Sequence, residues 1–135
     1  MLYVNHNPTS VAPPEGLYSH AVELAPSSRI LFISGQIPSC SDGSIPDAFD
    51  AQCHAVWDNI EAILASAEMR LEHLVKVTTF LSSPELADAN GRICRERLGD
   101  LRPALTVVSA GLLDSKWRLE IEAVAAAPAA SKRDP

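Results

Sequence analysis

Arg102-Pro103-Ala104-Leu105-Thr106-Val107-Val108 reads as the entrance and body of a β-strand. Its β-branched content suits a pleated, half-buried surface. Pro103 biases Arg102 towards an extended backbone, so side chains alternate from 102 onward. Leu105 then shares a face with Pro103 and Val107, while Arg102 shares the other with Ala104 and Thr106. Gly99, just upstream, is placed to close a preceding helix.

That helix begins at Ser83-Pro84-Glu85, with proline at its first position. Leu86, Asn90, Ile93, Arg97 and Leu98 set its register. Before it, Leu74 to Leu81 reads as a buried strand, with Val75, Val77, Thr79 and Leu81 on one face and Phe80 on the other. Further upstream, Phe49, Cys53, Val56, Trp57, Ile60, Ile63, Leu64 and Ala67 recur at three- and four-residue steps, the apolar stripe of an amphipathic helix. Asp47 is its expected N-cap. Leu17 to Leu24 and Ile30 to Ile37 read as strands turning at Pro26-Ser27-Ser28, a hairpin. Residues 39–46, rich in Ser, Gly, Asp and Pro, form a loop. Lys116 to Ala126, after a turn at Asp114-Ser115, is the last strand.

The order ββ, α, β, α, ββ predicts one α+β domain over residues 1–135, with an irregular lead-in at 1–12 and a flexible tail at 128–135. Two helices cover only one face of a six-stranded mixed sheet. These strands carry apolar residues on both sides, so the second face is expected to be hidden by self-association.

Of the 135 residues, 47% are hydrophobic and 21% charged, ordinary for a soluble domain. No apolar run is long enough to span a membrane. Met1 to Thr9 lacks the basic and apolar regions of a signal peptide, so a cytoplasmic location is expected. Cys40, Cys53 and Cys94 are widely spaced and odd in number, a poor disulfide framework that matches no zinc pattern. The four histidines are scattered, and no metal or other cofactor is implied. His20 and His54 have no evident partner and read as structural. Net charge is −6 with only eleven Lys and Arg, which argues against a nucleic-acid partner. Arg92, Arg95 and Arg97 are interleaved with Glu96.

Several blocks resemble the Rid (YjgF/UK114) family of small trimeric enamine/imine deaminases over roughly residues 13 to 127. They are Gly16-Leu17-Tyr18, Ser34-Gly35-Gln36, Gln52 with Asn59-Ile60, Val75 to Phe80, Asn90, Pro103-Ala104 and Glu120-Ile121-Glu122-Ala123. The resemblance implies a chorismate-mutase-like fold whose sheets close into a trimeric barrel with the helices outside. It also implies a small-molecule cleft at the subunit interface, where water attacks an imine carbon and ammonia leaves. Some Rid-like proteins have been labelled endoribonucleases, a role the charge balance disfavours here.

In active members, Pro-Ala is followed by an arginine that grips the substrate carboxylate. Here that position is Leu105, which has no donor. Strand parity turns Arg102 away from the Leu105 side, as a surface charge at the strand entrance. Glu120 matches the family acid that orients water and is the catalytic candidate; read by alternation alone, it lies on a solvated polar face with Arg118 and Glu122. Tyr18 matches a pocket tyrosine or is an interface aromatic. Ser34 and Gly35 would bring backbone near a ligand. Asn90 would point an amide into the pocket or hold a helix contact. Thr106 and Val107 stand where ligand neighbours stand in active relatives, and Cys94 reads as a small apolar filler. Three readings stay open: an imine deaminase with an altered substrate, another hydrolytic role using Glu120, and a trimeric ligand-binding or interaction protein without turnover.

Overall fold

The chain runs β1 (Tyr3–His6), β2 (Ala21–Leu24), β3 (Arg29–Gln36), α1 (Phe49–Ser66), β4 (Leu74–Leu81), α2 (Ala87–Leu98), β5 (Ala104–Ser109) and β6 (Leu119–Ala127). These elements come from a computed structural model that describes residues 3–16, 18–26 and 28–129. The main sheet has the order β3-β6-β4-β5. β4 and β5 are parallel because α2 carries the chain back between them, as a parallel pair requires. β6 enters between β3 and β4, antiparallel to both.

Register fixes which side chains share a face. Val77 pairs with Leu105 and with Ala123, and Thr79 pairs with Val107 and with Ile121. These residues face the helices. Thr78 pairs with Thr106 and Glu122, and Phe80 with Val108 and Glu120, on the opposite face. The alternation expected of β4 is therefore present, with Val75, Val77, Thr79 and Leu81 buried and Phe80 turned the other way.

On the covered face, Val56, Trp57, Ile60 and Leu64 of α1 and Ile93 of α2 are almost completely buried against Leu119, Ile121, Ala123 and Ala125. The alanines of β6 let the larger side chains of α1 approach, so bulky and small residues alternate through the core. Helix α1 starts one residue later than expected. Ala48, not Asp47, is the N-cap and makes no side-chain bond, while Asp50 supplies negative charge to the first turn. At the other end Glu68 adopts φ +59°, and Met69 N–H donates back to Leu64 O, closing the helix as a Schellman motif. Gly99, at φ +57°, ends α2 as expected.

Two polar side chains tie the layers together. Arg97 is largely buried between the helices and donates to Asp58 Oδ1 and Glu61 Oε2, both at 2.7 Å, and to His54 O at 3.1 Å. Gln52, 1% exposed, donates from Nε2 to Pro46 O (2.7 Å) and Lys116 O (2.9 Å). Its Oε1 accepts from Arg118 N–H at 2.8 Å.

The expected β2–β3 hairpin is absent. β2 pairs antiparallel with β1, and β3 pairs with β6. β3 has long apolar side chains, Leu31 and Ile33, which match Ala125 and Ala123 of β6, while short β2 takes its backbone partners from the lead-in. Residues 1–12 are therefore not wholly irregular, and the sheet is four strands plus a separate pair rather than six. Leu17, the expected start of β2, lies outside the described residues, as do 130–135 of the expected tail. The last strand starts at Leu119 rather than Lys116, because Trp117 N–H still belongs to the turn at Asp114.

Replacing Gln52 by alanine leaves three backbone groups without their partner. The variant is expected to lose about 2–4 kcal/mol in urea unfolding; a loss below about 0.5 kcal/mol would show that water satisfies these groups as well.

Candidate functional site

A cleft of about 150 Å³ opens on the helix-covered side of β5. Its position follows from how the chain before β2 is fastened. Ser19 is buried, its N–H donates to Pro103 O (3.1 Å) and its hydroxyl to Arg102 O (2.7 Å). Asn5 of β1 donates to Arg102 O (3.1 Å) and to Ser19 Oγ. These bonds form a parallel bridge between Ser19 and Ala104. They bring Tyr18 beside Leu105 and Val107, and all three line the cleft. The Tyr18 ring meets His20 edge-on at 5.9 Å, and its hydroxyl accepts a long bond from Glu15 N–H. His20 is held in turn by Ala12 O at 2.6 Å.

Helix α2 forms the opposite wall with Asn90, Cys94 and Leu98 on one row and Gly91 and Arg95 on the next. These are the i, i+4 neighbours of a helix face. Asn90 is buried, and the Cys53 thiol donates weakly to its Oδ1 at 4.0 Å. The amide Nδ2 is the donor left for a ligand. Burial pushes the Cys53 thiol up to about 12, with Cys94 nearby adding to the effect. Burial likewise raises the Cys94 thiol, against the opposing charge of Arg95. Both thiols stay protonated at neutral pH, so neither is an activated nucleophile. Arg102 does not line the cleft; its Nη1 donates to Gly99 O and Leu101 O at the strand entrance.

The remaining singled-out residues lie on the other face of the sheet. Glu120 pairs with Phe80, and its carboxylate lies against Gly35 at a bulge in β3 between Ile33 and Gln36. A Cβ at Gly35 would stand 2.1 Å from Glu120 Oε2 and 3.2 Å from its Cγ. A side chain at residue 35 would force the Glu120 carboxylate from its present position. Ser34 borders a shallow depression with Phe32, Lys76 and Glu122. Thr106 is exposed and accepts a 2.6 Å bond from Lys76 Nζ. Within one chain, then, Tyr18, Asn90, Leu105 and Val107 come together. Glu120, Ser34, Gly35 and Thr106 do not join them.

A family model described as Endoribonuclease L-PSP matches residues 9–127. The chain belongs to this family, the Rid proteins. It is 35% identical over 114 residues to the mitochondrial protein mmf2 of Schizosaccharomyces pombe, covering 82% of this chain and 88% of mmf2. A RutC family protein of Pyrococcus horikoshii is 34% identical over 124 residues, covering 87% of this chain and 93% of the relative. Among solved structures, the Rid family protein YyfB of Yersinia pestis superposes with a TM-score of 0.81 at 27% identity, over 93% of this chain and 98% of YyfB.

In this Rid chain the cleft has an apolar wall, one buried amide, one phenol and one guanidinium. No acidic or histidine side chain lines it among the described residues. Nor do the described residues contain a group of three or more His, Cys, Asp or Glu placed to hold a metal, or a helix long and apolar enough to cross a membrane. Sequence reasoning missed Arg95, which the alternating charges at 92–97 disguised as a solvated cation. The usable signal was its spacing from Asn90 and Gly91. His54 also has a partner after all, the Arg97 guanidinium.

Gly35→Ala is expected to cost about 1–3 kcal/mol, the usual scale of overpacking. Adding Glu120→Ala should recover most of that loss in a thermal or urea double-mutant cycle. Strict additivity would contradict the contact.

Proposed function

We propose that this Rid protein works as a homotrimer whose clefts take a small molecule with an apolar body, and that it hydrolyses an enamine or imine of that molecule. Water adds its oxygen to the imine carbon, the carbon–nitrogen bond breaks, and the products are a carbonyl compound and ammonia. The observation that carries the reading is the convergence of Tyr18, Asn90, Leu105 and Val107, from separate segments, on one cleft. In this account Asn90 and Tyr18 hold the nitrogen or the developing oxyanion. Glu120 orients the water, and because it faces the other side of the sheet it reaches a cleft from a neighbouring copy. Exposed apolar residues on the same face of the sheet support burial between copies: Phe32 is 78% exposed and Ile30 50%.

Leu105 makes this a branch without the carboxylate-clamping arginine. A hydrophobic wall of this size selects against imines of 2-oxo acids with one- and two-carbon side chains, whose main handle is the carboxylate. One observation favours a second reading, a trimeric ligand-binding or interaction protein without turnover: among the described residues no carboxylate or imidazole of the same chain lines the cleft. RNA is not the substrate we propose, since the chain carries net charge −6 and, among the described residues, a single cation lines the cleft. The free thiols Cys40, Cys53 and Cys94 support a reducing compartment such as the cytoplasm.

The test is hydrolysis of imines generated from serine or threonine by a dehydratase. Wild-type protein should be poor at it, and Leu105→Arg should gain about tenfold or more, the worth of a charge-assisted bidentate contact. Robust wild-type turnover, or a variant no better than wild type, would contradict the role given to Leu105.

A further inference from the structure

We infer that Arg95, on α2, is the anion-binding residue of this cleft, and that the ligand is a carboxylate with an aryl or branched alkyl group. The inference deepens the proposed function and rests on its reading that the cleft takes an imine or the matching carbonyl product.

Three arginines lie within six residues on α2, and two are committed. Arg92 pairs with Asp50 at 2.8 Å and Glu96 at 3.8 Å. Arg97 pairs with Asp58 and Glu61. Arg95 has no side-chain hydrogen bond or ion pair among the described residues, yet it lines the cleft. On a chain of net charge −6, an uncommitted guanidinium beside an apolar concavity is where an anion is drawn.

Gly91 explains how the side chain gets there. Helical side chains lean towards the N-terminus over the preceding turn, so Arg95 extends back over residue 91. A Cβ at Gly91 would stand 3.4 Å from Arg95 Nη1. Alanine would touch the guanidinium, and any longer side chain would displace it from the wall. Glycine inside a helix costs about 0.5–1 kcal/mol relative to alanine. Here that cost keeps a channel open along α2 for the cation.

The opposite wall sets the rest of the ligand. Leu98, Leu105 and Val107 offer no side-chain hydrogen bonds, and the cleft volume of about 150 Å³ is on the scale that admits a benzene ring. Asn90 Nδ2 is the donor available between apolar wall and cation. A 2-oxo acid, or its imine, with a bulky side chain meets all three requirements: carboxylate on Arg95, carbonyl or imine on Asn90, and side chain against Leu105. The cation has moved from the strand to the helix, and the space vacated at 105 receives carbon.

The test is calorimetric titration of the full chain with phenylpyruvate, with phenylacetone (which lacks the carboxylate) and with pyruvate (which lacks the ring). Wild type should bind phenylpyruvate at least about tenfold more tightly than either of the others, the scale of a charge-assisted contact or a buried ring. Arg95→Gln should erase the preference over phenylacetone while leaving phenylacetone affinity and the native mass unchanged. Arg95→Lys should retain part of the preference. Phenylpyruvate affinity within about twofold of wild type in Arg95→Gln would overturn the inference. So would equal wild-type affinity for all three compounds, or dissociation of the native assembly by Arg95→Gln, which would make Arg95 an interface cation. Arg95-dependent binding without imine turnover would leave this inference standing and remove the deaminase reading; turnover with Arg95-independent binding would do the reverse.

Discussion

Two helices pack on one face of a four-stranded sheet, and every other feature of the molecule answers to that asymmetry. The covered face is closed by Trp57, Ile60 and Leu64 against a row of alanines in β6, and it forms the core. The open face holds Ile30, Phe32 and Val108 around a polar centre of Lys76, Thr106, Glu120 and Glu122. Burying one such apolar side chain is worth about 1.5–3 kcal/mol. A face with several of them favours association over exposure, and copies arranged head to tail around a closed threefold axis can cover one another's faces.

The same asymmetry divides the candidate site. Strand parity sends Leu105 and Val107 of β5 to the helix side, where α2 and Tyr18 complete a cleft at the sheet edge. It sends Glu120 to the open side, where Gly35 makes room for the carboxylate. One chain therefore owns a binding cleft and an acid that cannot meet within it. In the proposed trimer the open faces are brought together, so the acid of one copy and the cleft of the next become neighbours. The position that would hold a guanidinium on β5 is filled by Leu105, and the cation of the cleft stands instead on α2.

Local pattern carried the elements well. The three- and four-residue spacing from Phe49 to Ala67 marked α1, and alternation from Leu74 to Leu81 gave β4 with the correct faces. Arg102 lies outside the cleft, as parity predicts, but it precedes β5 and is held there by Gly99 O and Leu101 O. What the pattern could not supply was pairing. A period of two says that Ala21–Leu24 is a strand but not that its partner is Tyr3–His6, because partners are chosen by long-range packing of Leu31 and Ile33 against β6. The site was half legible for the same reason. Tyr18, Asn90, Leu105 and Val107 line one cleft and parity separates Thr106 from Leu105, but the place of Glu120 depends on the register of β6 against β4. Arg95 was hidden because its neighbours Arg92 and Arg97 are ordinary ion-pair residues, and only their partners distinguish them from it.

The central claim is that the open sheet face is an interface between copies. Sedimentation equilibrium of the full chain measures this directly. The account predicts three times the chain mass for wild type at about micromolar concentration, and a single-chain mass for Phe32→Glu, which puts a charge at the most exposed of the apolar residues named on that face. A wild-type protein that sediments as a monomer would contradict it, and Glu120 would then have no cleft to serve.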